Sequence, residues 1–225
     1  MTIVLVHGSG RSGGEAWPEQ RHLGQSVALT MPGYGDDEPV STDMSAWVNR
    51  ILQPNGELHL VGHSYGGIAA VLAAAAAPDR VRSLTLFEPA AYSYSRGLPQ
   101  TEAAIERLGP VMAGAITMTS AEYLVTFVAA LTGEVVGEPQ GPTERREAER
   151  MRLLAAPWSH ALPIEVLAVV PTQVLTGDWN DEYEEIAGVM VRAGARHQVL
   201  AGFGHRVQDH PDATAAILTW VAEHP

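Results

Sequence analysis

Cysteine is missing from all 225 residues. That single absence excludes a disulfide framework, a zinc–thiolate centre, an iron–sulfur cluster and a cysteine nucleophile. Lysine is missing too: all 14 cations are arginine, set against 26 acidic residues, for a formal net charge of −12. A phosphate backbone or an anionic lipid surface would repel such a chain, so neither nucleic acid nor membrane is an expected partner, and a small molecule is. Long hydrophobic runs are lacking as well. The longest, Ile68–Ala77, has ten residues, too few to cross a bilayer. The opening Met1-Thr2-Ile3-Val4 carries no basic n-region of a secretory signal, and a cytoplasmic soluble protein is the expectation. No pair of histidines shows HExxH or related spacing, so metal catalysis has little support.

What is present is an ordinary globular composition, 46% hydrophobic and 18% charged. It suffices for the core of one domain, or of one domain with a large insertion. Short apolar runs end in turn residues: Thr2–Val6, Ser26–Met31, Leu58–Val61, Ser83–Phe87, Thr172–Thr176 and His197–Ala201. Their continuous apolarity predicts strands covered on both faces. Helical stretches lie between them: Thr42–Leu52, with Asp43 in its N-cap region, Tyr65–Ala77, Asp181–Ala193 and Pro211–Glu223. This alternation predicts an α/β fold with a mostly parallel sheet. From Glu88 to Pro171 no strand is predicted. Helices are expected there over Gln100–Leu108, Ala121–Leu131 and Thr143–Ala155, with an exposed loop at Thr132–Pro142. The alternating charges of Glu144–Arg152 read as a solvated helix face with i,i+4 pairs.

The chemistry centres on Gly62-His63-Ser64-Tyr65-Gly66, followed by Gly67. This G-x-S-x-G run falls between a predicted strand and a predicted helix, the context a nucleophile elbow requires. A serine on so sharp a turn projects its hydroxyl above the sheet, and the flanking glycines keep side chains out of its way. After the first strand stands His7-Gly8-Ser9-Gly10. The Ser9 N–H there, with the Tyr65 N–H, forms the expected oxyanion hole. His7 is read as a brace for that loop. After the last strand stands Gly202-Phe203-Gly204-His205, whose histidine could take the serine proton. The other histidines read as packing or surface residues, His63 with its side chain turned from the serine hydroxyl.

Taken in order, these motifs resemble the α/β-hydrolase superfamily, over nearly the whole chain. The resemblance implies a mostly parallel sheet with helices on both faces and an active site at the carboxyl ends of the strands. The first strand here corresponds to the one the family counts third, which implies a compact sheet of about six strands. Residues 1–89 and 165–225 would be the core and 90–164 an inserted helical lid. The acid departs from the family pattern. In the turn where the family usually carries it, this chain has Gly177-Asp178-Trp179-Asn180, with asparagine at the expected position. Asparagine cannot supply the charge that stabilises an imidazolium. Glu88, after the strand that follows the elbow helix, ranks first as the acid. Asp178 and Asp181 are the alternatives.

The implied activity is a serine hydrolase. It would cleave a small or medium carboxylic ester, thioester or lactone through an acyl-enzyme on Ser64, with His205 as base, Glu88 as acid and no cofactor. Tyr92, Trp158 and Trp179 are candidate pocket residues. A lyase, a C–C bond hydrolase or an acyltransferase on the same scaffold stays open. So does a non-catalytic ligand binder, because of Asn180.

Overall fold

Successive residues of a strand point to opposite faces. Thr2–Val6 therefore sends Ile3 and Leu5 into one apolar layer and Val4 and Val6 into another. A strand so enclosed sits inside a sheet with helices on both sides. The structure, a computed structural model, describes residues Met1–Pro225. Its strands are β1 (Thr2–Val6), β2 (Ser26–Leu29), β3 (Leu58–His63), β4 (Val81–Phe87), β5 (Thr172–Thr176) and β6 (Arg196–Val199). They form one six-stranded sheet in the order β2-β1-β3-β4-β5-β6. Every pairing is parallel.

The helices are α1 (Gly13–Ala16), α2 (Met44–Ile51), α3 (Tyr65–Ala76), α4 (Pro99–Ala113), α5 (Ser120–Thr132), α6 (Pro142–Arg152), α7 (Val166–Val169), α8 (Asp181–Arg192) and α9 (Ala213–Glu223). Helices α2, α3 and α8 cover one face of the sheet, through Trp47, Ile51, Ile68, Ile186 and Met190. Trp17 and helix α9, through Ile217 and Val221, cover the other. Asp43 caps α2, its side chain accepting from the N–H groups of Ser45 and Ala46. Between β4 and β5 the chain runs through α4, α5 and α6 without a strand. No helix is long and apolar enough to cross a membrane.

Several expectations are corrected in detail. Strand β2 stops at Leu29 rather than Met31, because the Met31 N–H turns to the His7 imidazole instead of a neighbouring strand. Strand β6 is an edge strand and largely exposed, not covered on both faces. Helix α4 continues through Pro110 before tightening into a 3₁₀ turn at Gly114–Thr117. The charged run of α6 is solvated at Glu144 and Arg145 but not along its whole length. Arg150 is 5% exposed. Its guanidinium donates to the carbonyls of Gly33, Gly35 and Asp37 at 2.7, 2.5 and 3.1 Å. Arg146 beside it reaches the carbonyls of Asp36 and Asp37 and the Glu38 carboxylate. These bonds tie α6 to the loop after β2.

Candidate active site

Strand β3 pairs with β4 up to His63 and Phe87. One residue later both chains leave the sheet with positive φ, Ser64 at 52° and Glu88 at 40°. Neither residue is glycine, so both conformations are strained and held by their surroundings. Ser64 has φ 52° and ψ −121° and starts α3 at once. Its N–H donates to the Phe87 carbonyl at 3.0 Å, and its carbonyl accepts from Gly67 at 2.9 Å and from Ala90 at 3.0 Å. The elbow closes only around glycine. A Cβ on Gly66 would collide with the His7 carbonyl and lie 2.6 Å from that of Val6. One on Gly62 would lie 2.9 Å from the Gly67 Cα. The sequence signature is thus a direct consequence of how closely α3 approaches β1.

His205 follows β6 on a turn where Gly202 and Gly204 take φ of 98° and 51°. Its Nε2 lies 2.9 Å from Ser64 Oγ. Its Nδ1 lies 2.7 Å from Glu88 Oε2. A nitrogen facing a carboxylate is the donor, so Nδ1 carries the proton and Nε2 accepts from the serine hydroxyl. The ring stacks on Tyr183 with centroids 4.9 Å apart. The carbonyl of His205 accepts from His63 Nε2 at 2.8 Å. Burial holds the His63 imidazole well below its ordinary pKa, and therefore neutral.

Glu88 is fully buried. Its Oε1 accepts from the Gly177 N–H at 2.9 Å and from Trp179 Nε1 at 2.8 Å. Its Oε2 lies 2.9 Å from the same indole nitrogen. Both carboxylate oxygens of this buried side chain therefore have hydrogen-bond donors. The structure brings Ser64, His205 and Glu88 together and leaves both aspartates outside. Asp178 is exposed, with its N–H bonded to Glu184. Asp181 is exposed in the first turn of α8. Neither contacts His205. Asn180 caps α8 instead, its side chain accepting from the Glu182 N–H at 3.1 Å.

Ser9 and Tyr65 both line the cavity that holds Ser64. Tyr65 is the first residue of α3, so its N–H has no acceptor within the helix. The Ser9 loop is fixed from behind. Tyr34 donates its hydroxyl to the Ser9 carbonyl at 3.3 Å. His7 donates from Nδ1 to the Gly8 carbonyl at 2.7 Å and accepts the Met31 N–H on Nε2 at 3.1 Å. Only a neutral imidazole satisfies both bonds. Burial lowers the His7 pKa to about 4.

Tyr92 lines the Ser64 cavity while its hydroxyl donates to Glu182 at 2.6 Å. Trp158 does not line it. Its ring packs edge-on against Tyr92 at 6.0 Å, in the apolar layer behind. Trp179 holds Glu88 by its indole N–H instead of facing the cavity. Two further residues of the site read from the sequence only as packing or surface histidines. One is His63, which holds the His205 carbonyl. The other is His160, whose Nε2 accepts from the Tyr65 hydroxyl at 2.8 Å. Nothing in the sequence ties either residue to its partner: His160 lies 95 positions from Tyr65, and the His63 partner is a backbone atom.

A sequence profile of the Alpha/beta hydrolase family matches residues 3–217. The chain belongs to the alpha/beta hydrolase family. In this alpha/beta hydrolase, Ser64, Glu88 and His205 follow the carboxyl ends of β3, β4 and β6. Over 86 residues the chain is 31% identical to a pimeloyl-(acyl-carrier protein) methyl ester esterase from Shewanella woodyi, covering 36% of this chain and 33% of that protein. Over 73 residues it is 37% identical to the dihydrolipoyllysine-residue acetyltransferase component of the acetoin cleaving system from Cupriavidus necator, covering 29% of this chain and 20% of that protein. The matches thus span a third or less of these curated relatives. Among solved structures, a thermophilic esterase from Thermogutta terrifontis superposes with a TM-score of 0.66 at 20% identity, over 100% of this chain and 91% of that one. This last likeness is one of fold.

Proposed function

We propose that this alpha/beta hydrolase cleaves carboxylic esters or thioesters of small or medium acids through an acyl-enzyme on Ser64. One observation carries the reading: Ser64 Oγ, the His205 ring and the Glu88 carboxylate stand in line at 2.9 and 2.7 Å. Ser64 Oγ attacks the carbonyl carbon as His205 Nε2 takes its proton. Glu88 stabilises the imidazolium and keeps the ring in the tautomer that began the step. The N–H groups of Ser9 and Tyr65 hold the oxyanion. The bond to the leaving group then breaks, and that group takes the proton back from Nε2. Water attacks the acyl-enzyme in the second half and gives its proton to His205; the bond from the carbonyl carbon to Ser64 Oγ then breaks, Oγ takes that proton back, and the acid leaves. No step calls for a metal or cofactor. Residues 90–164 act as a lid that shapes the cavity, since Leu108, Met112, Tyr123, Phe127 and Met151 all line it.

A fluorophosphonate probe tests the reading. Intact mass should show one adduct, mapped to Ser64 and absent from Ser64→Ala. A Ser64→Ala protein that hydrolyses activated esters as well as wild type would overturn it. The esterase relative agrees with this reading but matches only part of the chain.

A further inference from the structure

Two cavities meet at Ser64, and both reach Ser9. They differ in chemistry. The first is apolar and tight, with a volume of about 40 Å³ among Tyr92, Leu108, Tyr123, Phe127 and Met151. The second is wider, about 210 Å³; it shares Phe127 and Met151 with the first and differs from it by adding Arg11, His63, His205 and Arg206. Only the second contains His205. In acyl transfer the leaving atom must be protonated by the histidine, so the leaving group lies on the histidine side. The acyl chain then occupies the apolar cavity.

The histidine-side cavity carries an unexpected charge. The chain holds 26 acidic residues and 14 arginines, yet two arginines and no carboxylate line this wall. Arg206 is engaged, with Asp209 at 2.5 and 2.7 Å and the Ala16 carbonyl at 3.3 Å. Arg11 is exposed on the Gly8–Gly10 loop side and forms no ion pair. Its charge acts on Glu147 at longer range without pairing to it. A protein so negative repels anions in general, so a local unpaired guanidinium at the mouth decides whether an anion can dock. We propose that the substrate joins a short, uncharged acyl chain to a leaving group that bears an anionic substituent, and that Arg11 binds that anion. The proposal rests on the hydrolase reading above and adds the substrate class. The anion is a spectator in the step. The bond from the carbonyl carbon to the leaving oxygen or sulfur breaks, that atom takes the His205 proton, and the anionic charge on the substituent is unchanged.

The test uses two chromogenic esters with a common acyl group, 4-nitro-3-(butanoyloxy)benzoate and 2-nitrophenyl butanoate. The first leaves with a carboxylate and the second without. The readout is the ratio of their kcat/KM values at low and high salt. Wild type should favour the anionic ester, and the preference should shrink with salt. Arg11→Gln should lower the ratio roughly two- to fivefold, the scale of one solvent-exposed ion pair. Arg192→Gln removes the same charge from the exposed far end of α8 and should leave the ratio at its wild-type value. If the ratio is unchanged in Arg11→Gln, or falls equally in Arg192→Gln, the assignment of Arg11 is wrong. Turnover that needs Ser64 but shows no preference for the anionic ester overturns the leaving-group inference and keeps the hydrolase reading. No turnover of either ester, together with no probe adduct on Ser64, overturns both.

Discussion

The indole nitrogen of Trp179 stands 2.8 and 2.9 Å from the two carboxylate oxygens of Glu88. Trp179 belongs to the turn where the family usually carries its acid. Here that turn supplies a donor to Glu88, which follows the neighbouring strand β4. Trp179→Phe keeps the ring and removes only the donor. We expect kcat to fall roughly tenfold, the scale of one charged hydrogen bond. KM should change little, because Trp179 lines neither cavity at Ser64. Steady-state kinetics on an activated ester check this, and an unchanged kcat would show that the Gly177 N–H alone suffices to hold Glu88.

The identity of the acid has a separate test. Glu88→Gln removes the charge behind His205 and presents an amide that can select the wrong tautomer. A loss in kcat on the order of 10³ to 10⁴ is expected. Asp178→Asn and Asp181→Asn should stay within about twofold of wild type, since neither side chain reaches the imidazole. The three variants are to be compared at matched folded fraction by circular dichroism. A crippled aspartate variant beside an active Glu88→Gln would refute the assignment.

Acid should destabilise the fold through its buried histidines. Burial lowers the His7 pKa from 6.5 to about 4, and His63 moves in the same direction. As pH falls below about 6.5 the unfolded chain binds protons that the folded one refuses, so stability is lost progressively down to about pH 4. Thermal melts between pH 7.5 and 4.5 should show Tm falling. His7→Gln should start less stable and fall less steeply. Equal slopes would remove His7 from the account.

Arg150 anchors α6 by three backbone carbonyls and has no carboxylate partner. Arg150→Met keeps most of the aliphatic bulk and leaves those acceptors short of a buried donor. A loss of about 2–4 kcal/mol is expected, which is a drop in Tm of roughly 4–15 °C for a chain of this size. Urea unfolding measures it directly. A loss below about 0.5 kcal/mol would mean that water replaces the guanidinium at no cost.

Much of this was legible in the sequence because the signals are local. Thr2–Val6 and Thr172–Thr176 are strands over the predicted residues. The elbow can be read from Gly62, Gly66 and Gly67, which stand together in the sequence although Gly62 answers to a close approach within its own strand–helix unit, Gly66 to Val6 and His7, and Gly67 to Pro89. Glu88 ranked first because Asn180 left the usual position without a charge. What stayed hidden depends on partners far apart in the chain. Arg150 meets Gly33 across 117 positions, so its run of alternating charge looked like a solvated face. The bond from Trp179 to Glu88 spans 91 positions, and an aromatic residue beside a site reads as pocket lining until its N–H is seen to have a partner. Trp158 shows the reverse case, a large aromatic near the site that belongs to the core.

Ser64 and Glu88 each stand one residue past His63 and Phe87, which face each other across paired strands. A single ladder therefore sets the separation of hydroxyl and carboxylate, and these two behave as a fixed frame. His205 alone arrives from outside that frame, on a turn beyond the exposed edge of the sheet. The imidazole is thus the one member of the three that the ladder does not place, and side-chain contacts from His63, Glu88 and Tyr183 hold it there instead. Fraying of β6 would disconnect proton transfer while leaving the anvil of serine and carboxylate intact, so heat should silence the enzyme before it melts it.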